Sequence, residues 1–492
     1  MFNYITVTLL VLVLHTCFCD KKPNFVLILT DDQDIVLNGM EPLKNVQRLI
    51  GNEGTIFNNS YTTSPLCCPS RASILTGLYI HNHHTYNNSV DGGCYGSSWK
   101  QLETSTFNYM MNTAGYSTFY AGKYLNTYAT QSDDGPENVP PGWTEWHALV
   151  GNSVYYDYTL SNNGVPTNYS DLYLTDVIRD LGTSYIKKQT ESQPFLMVLA
   201  PPAPHEPFTP APRYKDAFLN VTVVKQPNFN VASTDKHWLM SMPPSPLPQS
   251  IMPELDRVYR SRWETLLSVD EMVADLIQAL DTNNLLADTY VIYTSDNGYH
   301  VGQFSLVYDK RQPYETDIKV PLLIRGPNIQ KNTINDQPIL NIDLAPTILG
   351  LAGLTAPNSM DGKAILFEED VDVERKMLVE HYGEAGDSVE PQCPWVYDHN
   401  NLAECLVDYD CKCQDSRNNT YACLRHISRQ INKKYCVFAD EENFKEMYDL
   451  SKDPYELENI IEDELPSIRD SYQHTLIHML NCRGVDDCEN QD

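Results

Sequence analysis

Short apolar runs that stop at polar or charged residues recur along this chain. Pro23-Asn24-Phe25-Val26-Leu27-Ile28-Leu29-Thr30 ends at Asp31-Asp32, and Tyr116 to Ala121 ends at Gly122-Lys123. Pro194 to Ala200 gives way to a proline-rich loop carrying His205, and Thr289 to Thr294 ends at Ser295-Asp296-Asn297-Gly298. A fifth run, Val320 to Ile324, leads into Arg325-Gly326-Pro327. Runs of this length bounded by turn residues predict buried strands. Helical spacing lies between them, most clearly from Leu255 to Leu280. There Trp263, Leu266, Leu267, Val273, Leu276, Ile277 and Leu280 form a stripe assigned to core packing. Strands alternating with helices predict an α/β domain on a largely parallel sheet. In such sheets ligands bind beyond the carboxyl ends of the strands, which is where these polar groups fall.

Composition divides the chain further. The stretch Pro243-Pro244-Ser245-Pro246-Leu247-Pro248 reads as a surface loop before the long helix. Near residues 365–390 the acidic run Glu368-Glu369-Asp370, and then closely spaced cysteines, change the character of the sequence. This predicts a catalytic unit over 20–380 and a cysteine-rich unit over 381–492. In the latter, Tyr435 to Ala439 and Glu446 to Leu450 read as paired strands, followed by a last helix around Leu465 to Leu480. Residues 1–19 resemble a cleaved signal peptide, with Ile5 to Leu14 as its apolar core. No later stretch reaches about 18 continuous apolar residues, so no stable membrane insertion is expected.

Cysteine use fits the secretory route. Of 13 cysteines, Cys17 and Cys19 leave with the leader, and Cys67 is set apart for chemistry. Ten remain, eight of them beyond residue 390, and they read as disulfide staples whose pairing the sequence leaves open. Sequons at Asn58, Asn87, Asn168, Asn220 and Asn418 agree with glycosylation. The formal net charge of −30 argues against nucleic acid as a partner. It also opposes a polyanionic substrate at neutral pH, an opposition that weakens in an acidic compartment.

The chemistry gathers around Ser64 to Gly77. Pro69 suits a first helical turn, and Ala72, Ile74 and Leu75 favour continuation. That puts Cys67 just before a helix N-terminus, where free N–H groups favour an anion, and Arg71 adds a fork-shaped donor. Asp31, Asp32, Asp296 and Asn297 supply hard oxygen donors from two strand ends, suited to Ca²⁺ or Mg²⁺ rather than zinc.

Cys67-x-Pro69-Ser70-Arg71-Ala72-Ser73-x-Leu75-Thr76-Gly77 resembles the signature of the type I sulfatases. The resemblance runs from about residue 23 to 480 and implies an alkaline-phosphatase-like fold. That is a large mixed, mostly parallel sheet flanked by helices, with a smaller C-terminal α+β subdomain holding an antiparallel sheet. It also implies that Cys67 is oxidised to Cα-formylglycine by a formylglycine-generating enzyme. One Ca²⁺, with Mg²⁺ as the alternative, would be held by Asp31, Asp32, Asp296, Asn297 and the converted Cys67. Lys123, His205 and Lys310 fall at the sulfate-gripping positions. One departure is Leu125 in Gly122-Lys123-Tyr124-Leu125, where many members carry a proton-relaying histidine. That departure is similar to the glucosamine-6-sulfatase branch, as are Ile80-His81-Asn82-His83-His84 and Asp296-Asn297-Gly298-Tyr299-His300. The branch implies removal of 6-O-sulfate from N-acetylglucosamine 6-sulfate in heparan sulfate, with keratan sulfate as a second substrate, in the lysosome or, alternatively, as a secreted enzyme. His83, His84 and His300 are candidate sugar contacts. An endo-acting extracellular sulfatase, a phosphatase-like hydrolase and a non-catalytic glycan-binding protein are the competing readings.

Overall fold

Asn24–Thr30 (β1) is buried along its whole length and sits in the middle of a ten-stranded sheet. A computed structural model describes residues 21–131, 134–367, 374–384, 393 and 402–490. The signal peptide expected at 1–19 and the acidic run Glu368-Glu369-Asp370 lie outside the described residues. The sheet's other strands are Thr55–Phe57 (β2), Ser117–Lys123 (β3), Glu145–Leu149 (β4), Tyr158–Asn162 (β5) and Val165–Tyr169 (β6). Phe195–Ala200 (β7), Thr289–Ser295 (β8), Leu322–Arg325 (β9) and Thr333–Asn335 (β10) complete it. Their order is β10-β2-β9-β8-β1-β7-β3-β4-β5-β6. The five central strands from β8 to β4 run parallel, and β9, β5 and β6 pair with their neighbours antiparallel. The run at Val320 to Ile324 is therefore a strand, but it starts at Leu322 and runs against β8.

Side-chain alternation on β1 divides the core. Phe25, Leu27 and Leu29 join one buried cluster, and Val26 and Ile28 join the other. Against the first face lies Cys67–Thr76 (α1), with Ala72, Ile74 and Leu75 in contact. Against the second lie Leu174–Lys188 (α2) and the 31-residue Met252–Thr282 (α3). With both faces covered, the central strands must be apolar throughout, which is why they read as unbroken runs. The stripe assigned to α3 is partly corrected. Trp263 and Leu267 are half-buried, whereas Arg262 and Glu264 are buried.

The C-terminal part forms a four-stranded antiparallel sheet in the order β11 (Arg375–His381), β14 (Tyr421–Ile427), β15 (Asn432–Phe438) and β16 (Lys445–Asp449). A separate hairpin pairs β12 (Leu402–Leu406) with β13 (Lys412–Ser416). The last long helix is Pro466–Met479 (α4). The antiparallel sheet opens at Arg375, ahead of the 380/381 division read from composition. Eight cysteines pair within this part as Cys393–Cys411, Cys405–Cys413, Cys423–Cys436 and Cys482–Cys488, and Cys68 pairs with Cys94. Cys67 is free. Asn58, Asn168 and Asn220 are exposed, while Asn87 and Asn418 are half-buried. Among the described residues, no helix is long and apolar enough to cross a membrane.

Candidate active site

The carboxyl ends of β1, β3, β7 and β8 meet the N-terminus of α1, at the place where a parallel sheet leaves room for a ligand. Leu66 is extended at φ −148° and Cys67 takes the first helical position, so the thiol sits inside the first turn rather than just before it. Gly77 closes the helix at φ +70°. Gly122, one residue before Lys123, lies at φ +110°, and a Cβ there would come within 2.0 Å of the Ala200 carbonyl oxygen. Only glycine lets β3 pass so close to β7 and deliver Lys123 to the site.

The residues read from sequence converge. Lys123 Nζ donates to both oxygens of Asp31, at 3.0 and 2.8 Å, and Lys310 Nζ donates to Asp32 Oδ2 at 2.7 Å. Arg71 Nε donates to Asp296 Oδ2 at 2.8 Å, and Nη1 donates to the Lys123 carbonyl at 2.7 Å. His205 Nε2 lies 3.8 Å from Asp32 Oδ2, and Cys67 Sγ lies 3.7 Å from Asp32 Oδ1. Ligand atoms of Asp31, Asp32, Cys67 and His205 lie within 4.8 Å of one another. Asn297 Nδ2 donates to Asp32 Oδ1 at 2.8 Å, while its Oδ1 is buried with no hydrogen-bond partner among the described residues. An orphaned amide oxygen beside two carboxylates fits a hard divalent cation, which would satisfy it. Asp296 is less free. Its Oδ2 is taken by Arg71, and its Oδ1 accepts from the backbone N–H of Asp32 and of Asn297.

Three buried carboxyl groups, Asp31, Asp32 and Asp296, face three buried cations, Arg71, Lys123 and Lys310. Burial opposes ionisation of Asp31, but Lys123, His205, Arg71 and Lys310 hold its carboxyl well below the usual range. Burial likewise opposes Asp32, which Lys310 and His205 keep below its ordinary value. Burial pushes Asp296 up to about 7 against the pull of Arg71. Burial and Lys310 push His205 down to about 4. The Cys67 thiol is driven well above its ordinary value by burial, although Lys123 and Lys310 pull the other way. An unmodified Cys67 is therefore a protonated and poor nucleophile.

A cavity of about 160 Å³ opens over this cluster, lined by Asp32, Asn88, Asn152, His205, Lys310 and Arg311 among others. Three histidines do not reach it. His83 is buried and meets Ser73 Oγ at 3.0 Å, His300 is buried against Asp317 at 2.9 Å, and exposed His84 meets the Tyr86 hydroxyl at 2.8 Å. Leu125 packs in the core cluster with Tyr124, Tyr128 and Trp146, so the relay position is filled by hydrocarbon. Sequence reasoning missed three residues. Ser153 donates to Asp31 Oδ2, and nothing near it in the sequence marks it. Arg311 binds both oxygens of Asp309 and reaches Glu384 at 2.8 Å and Glu404 at 3.3 Å, joining the pocket wall to the C-terminal part. Arg262 is held by Asp32 and Asp34. Its signal was its place on α3, in step with Leu255, Tyr259, Leu266, Val269, Val273 and Leu276, where an apolar residue belongs.

The sulfatase family model matches residues 23–354, and the chain belongs to the sulfatase family. Members use a formylglycine and a metal ion, and the fold is of the alkaline-phosphatase type. Within the family, the chain is 46% identical to N-acetylglucosamine-6-sulfatase of Homo sapiens over 94% of this chain and 85% of that protein. The Capra hircus protein of the same name gives 46% over 94% and 84%. A putative extracellular sulfatase Sulf-1 homolog of Caenorhabditis elegans is 41% identical over 71% of this chain and 49% of that protein. A solved structure in complex with its substrate D-glucosamine-2-N,6-O-disulfate superposes with TM-score 0.73 at 23% identity, covering 93% of this chain and 97% of that one. Phosphonate monoester hydrolase from Silicibacter pomeroyi shares the fold, with TM-score 0.65 at 20% identity over 93% and 94%.

Proposed function

We propose that this sulfuric ester hydrolase removes 6-O-sulfate from terminal N-acetylglucosamine 6-sulfate units of heparan sulfate, and of keratan sulfate, in the lysosome. The observation that carries the reading is the meeting of Cys67 with Asp31, Asp32, Lys123, His205 and Lys310 in a chain 46% identical to enzymes of that name. Asp31, Asp32, Asn297 and Asp296 would hold Ca²⁺, which polarises a sulfate oxygen and favours the ionised form of a neighbouring hydroxyl. Formylglycine made from Cys67 by a formylglycine-generating enzyme supplies an oxygen nucleophile that the protonated thiol cannot match. Arg71, Lys123 and Lys310, all buried, neutralise charge on the transferring group. His205 is the donor to the leaving sugar hydroxyl. Burial and Lys310 disfavour its protonated ring, and an anionic ester beside it would favour that form. The small, walled cavity supports action at a chain end over action along a polymer.

The test is the mass of the tryptic peptide from Leu49 to Arg71, reduced and freed of any glycan on Asn58. Conversion of Cys67 lowers that mass by about 18 units, a covalent change independent of fold. An unmodified Cys67 in protein from its native compartment would overturn the chemistry. Comparing release of sulfate and phosphate from matched sugar esters separates this reading from a phosphatase-like one.

A further inference from the structure

We propose that Arg262 is a positioning residue for the reaction, a single guanidinium that fixes Asp32 and His205 relative to each other. The inference rests on the reading that Asp32 and His205 act on metal and substrate. Arg262 projects from α3, an element with no other proposed role in the chemistry, and is 2% exposed. Its Nη2 donates to the backbone carbonyl of Asp32 at 2.7 Å and to Asp34 Oδ1 at 2.9 Å. Its Nη1 donates to the carbonyl of Pro204, the residue before His205, at 3.3 Å. The guanidinium carbon lies 3.9 Å from the centre of the Tyr299 ring, two residues beyond Asn297. One rigid plane therefore touches the three loops that bring Asp32, His205 and Asn297 together.

The local backbone explains why a clamp is needed. Asp32 adopts φ +66°, a left-handed conformation that side chains other than glycine avoid unless surroundings impose it. The Asp31 N–H donates to the Ala203 carbonyl at 3.0 Å, so the two loops already touch on one side. Arg262 binds them from the other. Asp34 completes the arrangement, because its Oδ2 accepts from the N–H groups of Leu37 and Gly39 while Oδ1 anchors the arginine. An ammonium cannot reproduce this. Lysine keeps the charge but lacks the planar fork that serves two carbonyls and a carboxylate together. A displacement of about 1 Å between Asp32 and His205 is enough to cost about a hundredfold in rate.

The experiment compares wild type, Arg262→Lys and Arg262→Ala in full-length secreted protein of equal formylglycine content. Readouts are kcat and KM on N-acetylglucosamine 6-sulfate, Ca²⁺ binding to the chelated protein by calorimetry, and Tm. We expect Arg262→Lys to keep Tm within a few degrees, lose kcat about tenfold to a hundredfold with KM changed less than threefold, and bind Ca²⁺ severalfold more weakly. Guanidinium ion at millimolar concentration should restore part of the Arg262→Ala rate, whereas sodium chloride of equal ionic strength should not. Wild-type kcat and Ca²⁺ affinity in Arg262→Lys would overturn the proposal. So would failure of both variants to fold, which would make Arg262 a folding residue. Inactivity of the wild type itself would count against the sulfatase reading, and unchanged Ca²⁺ binding in the variants would still decide against Arg262.

Discussion

Two clusters of buried charge flank the segment that carries Cys67, and they are finished differently. In the pocket, Asp31, Asp32 and Asp296 face Arg71, Lys123 and Lys310, yet among the described residues Asn297 Oδ1 has no hydrogen-bond partner and Arg71 Nη2 makes only a 3.5 Å approach to Asp31. The second cluster lies where Ser60–Tyr61 leads toward the catalytic loop. There Arg425 donates to Glu315 at 3.0 Å, to the Tyr61 hydroxyl at 3.1 Å and to Asn432 Oδ1 at 2.5 Å. Tyr61 donates back to Glu315 at 3.1 Å, the Glu315 N–H donates to Glu456 at 2.9 Å, and Lys434 pairs with Glu456. One set of charges pairs within itself and ties the antiparallel sheet, through Arg425 and Lys434, to Tyr61 and Glu315. The other keeps donors and acceptors in reserve. Burial and ion pairing alone do not tell a site from a strut; what marks the pocket is that its unpartnered Asn297 Oδ1 sits beside buried carboxylates at the carboxyl ends of the parallel strands.

The largest expected effect breaks the open cluster. Cys67→Ala should reduce sulfate release by on the order of 10⁴-fold or more, as removal of a nucleophile does, with Tm nearly unchanged. Residual turnover near the wild-type rate would dismiss Cys67 as the reacting centre.

Breaking the closed cluster should do the reverse. Glu315→Ala strands Arg425 and should cost about 3–5 kcal/mol in denaturant unfolding, because it leaves a buried charge uncompensated. The folded fraction should keep its kcat. Burial opposes ionisation of Glu315, but Arg425 and Lys434 hold its carboxyl down to about 2. The sign follows. Its folded value lies below its unfolded one, so its stabilisation is complete above about pH 4.5 and is lost as pH falls toward 2. A stability profile flat through pH 3 would contradict the assignment.

A smaller effect sharpens the comparison with a group that belongs to neither cluster. Burial pushes His83 down to about 3, so between about pH 6.5 and 3 the unfolded chain binds a proton that the folded one refuses. Stability should therefore fall on acidification, by about 2–3 kcal/mol between pH 7 and 4.5 from this residue. His83→Asn should flatten that slope whatever it does to stability at pH 7. An unchanged slope would remove His83 from the account.

Some of this was legible in sequence for a clear reason. The central strands are covered on both faces, so they read as unbroken apolar runs, and their polar terminators point to one edge of the sheet. Asp31, Asp32, Lys123, His205, Asp296 and Cys67 were found this way together with the family signature. Lys310 was legible only through the family register, because Asp309-Lys310-Arg311 by itself reads as a basic surface pair, whereas in the structure Lys310 is held by Asp32 at 5% exposure. Arg262 was hidden because a hydrophobic stripe is scored by the residues that match it, and a buried arginine counts as a gap. His83 and His300 could be read as sugar contacts or as core histidines, and the structure buries both, because neighbours in sequence do not reveal which way a ring turns. The disulfide pairing was beyond reach, since it depends on how the antiparallel strands align.

The burial of Cys67 also sets a clock. Leu66, Cys67 and Cys68 have no exposed surface, and Cys68 is bonded to Cys94. A modifying enzyme that takes its substrate as extended chain would find none in this packed helix. On the proposed chemistry, each molecule is armed before this helix closes or never afterwards. The activity of a finished preparation is then a tally of races won against folding. No later repair can raise it, and a variant that folds faster could be more stable and yet leave more of its copies inert.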